Sequence, residues 1–462
     1  VRRDYLNLRF LKQGMGRIAV AGGILAGAKL LRMRDSWRHD LHSKGEARRI
    51  WMVNHYAVTG DLPGGSRHVD LAAAIKQHGW TTTIFASSFN HNTHKFEREN
   101  RFPRLVTTED TASATFKWLP TVPYQSNGWK RYLNMVSFVA VYLSVAAMQS
   151  RPDVIIGSSG HLLAPFGAWI MSRWFRVPFV LEVRDMWPDG LIELGLNNRV
   201  VIALLRGLER FLYGHADRIV VVSNGIGDRV VAKGVPREKV VAVPHGVVIA
   251  PPSPDAESRD DFRKRMGWDD YVVAIWAGGM QPMNGLDTLV EAARHLIGDP
   301  SILVVFVGDG SEKPALMLQA AGLPNVRFYD PVPKAEVSTW LRGADVGVLT
   351  SRKFETFTGT RPRKLFDYMA AGLPVVCTVP GEASGIVRAS QAGVNAAWEN
   401  PIALSHALKT LAADGEMRRT LGKNGQLSVQ RDHSIASSAK LLIGVLDGDE
   451  HTDGRRLEGH VQ

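Results

Sequence analysis

From Arg49 onward the chain alternates short apolar runs with amphipathic stretches, divided by glycine and proline turns. Arg49–Asn54 reads as a strand and leads into the turn Pro63-Gly64-Gly65-Ser66. Ser66 stands in an N-cap position for a helix over 67–78, and Gly79–Ala86 is the next strand. Strand, glycine-rich turn, helix and strand make one βαβ unit. Residues 87–128 are rich in His, Asn, Thr and Arg and read as a long excursion. Trp129–Gln149 is a helix, apolar on most sides, led by Trp129, Lys130 and Arg131. Strands at 152–157, 177–183 and 217–222 then alternate with helices at 162–175, 199–214 and 223–233. A proline-rich polar stretch from Pro251 reads as a linker. A second βα series starts at Tyr271, and helices at 402–411, 416–427 and 435–446 close the chain.

The pattern predicts an α/β protein of two Rossmann-like, doubly wound domains facing a central cleft. At 462 residues a single core is not expected. The expected division is a basic extension over 1–49, a first domain over 50–248 and a linker over 249–270. A second domain over 271–430, a closing helix over 431–446 and a mobile charged tail over 447–462 complete it.

Composition narrows the class. The 45% apolar and 22% charged content is that of a globular protein. A single cysteine excludes an internal disulfide and a cysteine-rich metal site, and no metal or other cofactor is expected. The net charge of +11 calls for anionic partners. Zinc-finger spacing, RNA-binding aromatic signatures and long basic runs are absent, so nucleic acid is not expected. A phosphorylated substrate and an anionic membrane surface fit better. The apolar run Ile18–Ala28 is too short to span a bilayer. It reads as part of a basic extension lying on a membrane, with a signal peptide as the alternative.

The chemistry concentrates in Thr360–Cys377. Arg361, Arg363 and Lys364 surround Pro362 at the start of a helix, where free amides and cations together suit a diphosphate. Asp367, one turn later, is placed to accept hydrogen bonds from ribose hydroxyls. Glycine turns end strands in both domains: Gly64-Gly65 in the first, Gly278-Gly279 and Gly308-Asp309-Gly310 in the second. Ligands of open parallel sheets bind beyond the carboxyl ends of strands. That rule singles out His161 as a chemical group or a helix cap. It also singles out Arg184-Asp185 as cleft residues or as a structural pair under Trp187. No P-loop, kinase set, HExxH, Gly-x-Ser-x-Gly or paired glycosidase carboxylates occur.

The run Pro362-Arg363-Lys364-x-x-Asp367-Tyr368-x-Ala370-x-Gly372-x-Pro374-Val375 resembles the nucleotide-sugar site of the retaining GT-B glycosyltransferases of family 4. The pattern there is roughly Pro-Ser-Lys-x-x-Glu-Tyr-x-Ala-x-Gly-x-Pro-Val. Arg184-Asp185-Met186-Trp187-Pro188 and the opening Asn54-His55-Tyr56 are similar to a bacterial surface-polysaccharide and lipopolysaccharide subgroup, which includes N-acetylfucosamine-type transferases. The resemblance covers about residues 50–446. It implies a GT-B fold and retaining transfer from a nucleotide diphosphate sugar to a saccharide on a polyprenyl diphosphate. It also implies a cytoplasmic location on the inner face of the membrane, with an acceptor-side first domain and a donor-binding second domain.

By motif, Lys364 would contact the diphosphate with Arg363 and Arg361 beside it. Asp367 would contact the ribose, Gly65 the phosphate or acceptor, His161 the transferred sugar, and Glu382 would lie near the donor sugar. The chain departs from the pattern at Gly359, where the family has an acid. It departs again at Gly279 and Asn284, where arginine and lysine are usual, and at His245 and Val248, where asparagine and aspartate are usual. A GT-B nucleotide-sugar 2-epimerase and a non-catalytic sugar-nucleotide-binding protein are the rival readings.

Overall fold

A computed structural model of the chain describes residues 47–62, 66–98, 106–125, 128–248 and 257–448. Residues 1–46 of the expected 1–49 extension, Gly64-Gly65, most of the proline-rich stretch and the tail beyond 448 lie outside them, while Arg48 and Arg49 already belong to the first strand.

The first domain runs β1 (Arg48–Val53), α1 (Arg67–Lys76), β2 (Trp80–Ser87), the short pair β3 (Phe89–Asn90) and β4 (Lys95–Phe96), β5 (Thr107–Asp110) and β6 (Thr115–Leu119). It continues with α2 (Trp129–Ala146), β7 (Val154–Ser158), α3 (Leu163–Phe175), β8 (Phe179–Val183), α4 (Asp189–Glu193), α5 (Arg199–His215), β9 (Arg218–Val221), α6 (Asn224–Ala232) and β10 (Val240–Ala242). Its eight-stranded sheet has the order β10-β9-β8-β7-β1-β2-β6-β5, parallel except for β5 against β6.

The second domain runs α7 (Arg259–Met266), β11 (Val272–Ala277), α8 (Leu286–Arg294), β12 (Ile302–Val307), α9 (Lys313–Gln319), β13 (Val326–Tyr329), α10 (Lys334–Gly343) and β14 (Val346–Leu349). A 3-10 turn (Glu355–Gly359), α11 (Arg363–Ala370), β15 (Val375–Cys377), α12 (Glu382–Ala389), β16 (Gly393–Asn395), α13 (Pro401–Ala413), α14 (Gly415–Asp432) and α15 (Ile435–Asp447) follow. Its six strands have the order β13-β12-β11-β14-β15-β16, all parallel. The order reverses between β11 and β14, which makes the crevice there the expected ligand position. β12 is buried along all six residues, as a strand covered by helices on both faces must be.

Three expectations change. The excursion over 87–128 contains β5 and β6, which extend the first sheet. In β6 the alternate residues Phe116 and Trp118 are buried and stack at 4.9 Å, a period-2 signal hidden among polar neighbours. The expected linker over 249–270 holds α7, with Phe262 and Trp268 buried in the second core against Trp340. Burying each such ring is worth about 2–3 kcal/mol. Arg263 ties α7 down by donating to the carbonyls of Gly343, Trp268 and Tyr271 and to Asp345. Ser66 makes no side-chain cap to α1; its hydroxyl donates to Asp70 Oδ2 at 2.7 Å and accepts from Arg363 Nη1 at 3.0 Å instead.

The chain crosses between the domains twice, and the crossings are paired. Val247 N donates to His433 O and Ile435 N to Val247 O, each at 3.0 Å. α15 then returns to the first domain, where Ala439, Leu442, Val445 and Leu446 pack with Ile50, Leu71 and Ile75.

Candidate functional site

α11 begins where the sequence places it, and its buried residues Leu365, Phe366, Tyr368 and Met369 anchor it on the second sheet. Ala277 N, at the end of β11, donates to Tyr368 Oη at 3.1 Å, which holds the second turn of α11 against that strand end. Lys364 runs along the strand end with Nζ 4.8 Å from the Trp276 ring centroid. A Cβ on Gly278, whose φ is +137°, would lie 2.4 Å from Lys364 Cε. Gly278 therefore admits the lysine. Burial lowers the Lys364 pKa and the Asp367 carboxylate opposes that shift.

Arg363 reaches across the cleft. Its Nη1 donates to Ser66 Oγ at 3.0 Å and to Asp70 Oδ2 at 3.2 Å, both at the start of α1 in the first domain. Its Nε lies 3.6 Å from Asp367 Oδ1, one turn along α11. Arg363 thus meets the α1 end of the first domain, while Lys364 stays at the end of β11.

Glu382 and Arg361 form a second crossing. The Glu382 carboxylate accepts from Gly225 N at 2.8 Å and Asn224 N at 3.2 Å, so it caps α6 of the other domain. Arg361 Nε lies 3.2 Å from Glu382 Oε1, with the guanidinium buried over Phe366. Burial raises the Glu382 pKa, and Arg361 works against it. Beside them Ser223 Oγ donates to Gly359 O at 2.5 Å. A Cβ on Gly359 would come within 2.9 Å of Gly225 Cα. The position where the family carries an acid is here a backbone-to-backbone contact between domains.

The remaining glycine turns serve shape. Cβ atoms on Gly308 and Gly310 would meet the carbonyls of Gly278 and Met280 at 2.2 and 2.3 Å. Asp309 Oδ1 accepts from Gly310 N, and Asp309 O accepts from Met280 N, each at 2.8 Å. Among the described glycines of these turns, only Gly279 has room for a side chain, its nearest neighbour being 3.8 Å away.

His161 is fully buried at the carboxyl end of β7. Its Nδ1 accepts from Leu163 N at 3.2 Å and Ala164 N at 3.3 Å, so its proton sits on Nε2 and is donated to His55 Nδ1 at 2.8 Å. Both ring nitrogens are committed inside the first domain. Burial, then Arg131, pushes its pKa down to about 3. Arg184 N donates to Ser159 Oγ at 3.0 Å, and Asp185 is exposed at the end of β8.

Several residues at this cleft were not singled out from sequence. Glu182, buried in β8, accepts from Arg67 Nε and pairs with His68 Nε2, each at 2.8 Å. Arg67 also donates to Pro244 O and Val243 O at 2.7 Å. Burial alone would raise the Glu182 pKa, but His68 and Arg67 outweigh it and hold the carboxyl well below its usual range. The available signal was an acid inside the apolar run Val180-Leu181-Glu182-Val183. Burial, then Arg67 and Arg184, lowers the His245 pKa well below its usual range. Among the described residues no cluster of three or more His, Cys, Asp or Glu could hold a metal ion, and no helix is long and apolar enough to cross a membrane.

Comparison with known proteins agrees with this geometry. Residues 64–246 match the glycosyl transferase 4-like domain and residues 258–428 match the glycosyl transferases group 1 domain. A D-inositol 3-phosphate glycosyltransferase of Geodermatophilus obscurus is 31% identical over 78% of this chain and 79% of its own length. The chain is a group 1 glycosyltransferase. Among relatives of this glycosyltransferase, WcaI of Escherichia coli, named for colanic acid biosynthesis, is 26% identical over 58% of this chain and 68% of WcaI. A solved structure of Anabaena HepE in complex with UDP and glucose superimposes with a TM-score of 0.64 at 17% identity, covering 87% of this chain and all of HepE. That likeness establishes the two-domain GT-B fold.

Proposed function

We propose that this glycosyltransferase moves a sugar, with retention, from a nucleotide diphosphate sugar to a lipid-linked saccharide during cell-surface polysaccharide assembly. The observation that carries the reading is the start of α11, where Arg363 reaches Ser66 and Asp70 of the opposite domain and Lys364 lies beside it over Trp276 at the end of β11. As the bond from the sugar's anomeric carbon to the diphosphate breaks, the electron pair goes to a phosphate oxygen. Lys364, Arg363 and the first-turn amides of α11 stabilise that charge more in the transition state than in the bound donor. The acceptor hydroxyl attacks from the same face and passes its proton to the leaving phosphate. Asp367 takes the ribose hydroxyls. The chemistry is assigned to protein groups, so EDTA is expected to leave the rate unchanged.

The lipid-linked acceptor is supported by α2, which exposes Trp129 at 66%, Tyr132 at 49% and Val136 at 52% beside Lys130. Aromatic and cationic side chains together suit an anionic membrane face, here the cytoplasmic one. The relationship to WcaI supports the polysaccharide role. A second reading, transfer to a small phosphorylated acceptor, is favoured by the relative named D-inositol 3-phosphate glycosyltransferase.

Calorimetry with UDP, GDP, dTDP and ADP tests the donor site, and one base is expected to bind. Diphosphate release from the matching sugar nucleotide, with lipid-linked saccharide or inositol phosphate as acceptor, separates the two readings. Folded protein that binds no diphosphate would overturn both.

A further inference from the structure

A cavity of about 450 Å³ lies apart from the donor cleft, at the carboxyl ends of β15 and β16. That volume is within the ~300–1,000 Å³ of small-ligand sites. β15 and β16 stand on the far side of β14 from β11, whereas Lys364 packs at the end of β11. The lining includes Thr378 and Pro380 after β15, Ser384 and Arg388 on α12, and Asn395 and Trp398 at and after β16.

Three features of this lining suit a sugar. The Trp398 indole is held rigid, because Nε1 donates to Ser351 O at 3.0 Å and lies 3.2 Å from Ser351 Oγ. A flat aromatic surface is what the C–H face of a pyranose stacks on, with little conformational entropy lost. The Thr378 hydroxyl is buried, at 2% exposure, and has no hydrogen-bond partner among the described residues. An unpaired buried hydroxyl costs about 1–3 kcal/mol, which a ligand hydroxyl would recover. Arg388 is exposed at the rim with no acidic partner among the described residues, and Asn395 Nδ2 is fixed by Ser384 O at 3.0 Å. Aromatic platform, inner hydroxyl and polar rim answer the apolar face and hydroxyl edge of one sugar ring.

We propose that this cavity is a second carbohydrate site, taking one neutral pyranose unit of a saccharide outside the donor cleft. The site would hold a unit of an oligosaccharide away from the reacting sugar and so favour longer acceptors. The assignment rests on the lining and stands whether or not the donor reading holds.

Saturation-transfer NMR on the full chain, with methyl α-D-glucopyranoside, methyl β-D-galactopyranoside and N-acetylglucosamine as probes, tests it. At least one probe is expected to show transfer that UDP does not displace and that Lys364→Ala leaves unchanged. Arg388→Ala, an exposed change that leaves folding intact, is expected to weaken binding at least threefold, and Trp398→Ala to abolish it. No transfer with any probe would overturn the proposal. So would displacement by UDP, or binding by Arg388→Ala equal to that of the parent protein.

Discussion

The contact of Gly225 with Gly359 gives the sharpest test of how the domains meet. In Gly225→Ala the new methyl would lie 2.2 Å from Gly359 Cα, 2.8 Å from its O and 2.9 Å from its C. All three are backbone atoms, so no rotamer change relieves the clash. Carbon atoms rest at about 3.5–4.0 Å, so the surfaces must part by roughly 1.5 Å. Parting stretches the Ser223 Oγ to Gly359 O bond from 2.5 Å and the Gly225 N to Glu382 Oε2 bond from 2.8 Å, beyond useful range. One neutral bond at about 1 kcal/mol and one charged bond at about 1.5–3 kcal/mol give a loss of about 2.5–4 kcal/mol in closure. That favours the open form by roughly 70- to 900-fold. The same change lies in α6, where alanine gains about 0.5–1 kcal/mol over glycine, so thermal stability is not expected to fall. Small-angle scattering should show a larger radius of gyration with an unchanged or higher Tm. Gly207→Ala on α5, with no atom within 4 Å, is the control that changes helix propensity alone. Scattering and UDP affinity both equal to those of the parent protein would refute the reasoning.

Other expectations follow from the same contacts. Lys364→Ala removes a charge-assisted contact worth about 1.5–3 kcal/mol, so UDP affinity by calorimetry should fall roughly 10- to 150-fold; undiminished binding would remove Lys364 from the site. Glu182→Ala leaves Arg67 buried without its carboxylate and should cost about 3–5 kcal/mol in urea unfolding, since breaking a buried pair strands its partner. A loss below 1 kcal/mol would mean water reaches the pair. Burial holds His161 down to about 3 and His91 down to about 4, so the folded chain keeps these rings neutral. The unfolded chain protonates them below about pH 6.5, so stability is full above that pH and falls as the pH drops towards 4. For His161 alone the loss is about 2 kcal/mol by pH 5, and urea midpoints equal at pH 7.5 and pH 5 would contradict it.

Much of the fold was legible because it depends on local pattern. Six-residue apolar runs such as Ile302–Val307, closed by glycine, read as buried strands, and Pro362 followed by cations reads as a helix start. The segments misread were those whose burial depends on distant partners. The middle of the long polar excursion is a strand because Phe116 and Trp118 find β2. Arg259–Met266 is a helix because Phe262 finds Trp340, far along the chain.

By itself, the sequence determined the two βα series, the cationic start of α11 and the family they signal, because each is written in consecutive residues with a characteristic spacing. Tertiary structure alone decided which charges act together. Arg363 meets Asp70 from 293 positions away, and Glu382 meets Gly225 from 157 positions away. It also turned His161 inward onto His55 and brought Gly359 against Gly225, where an acid would be expected. Hydrogen bonds and backbone contacts form at fixed distances in space, and separation along the chain carries almost no information about them.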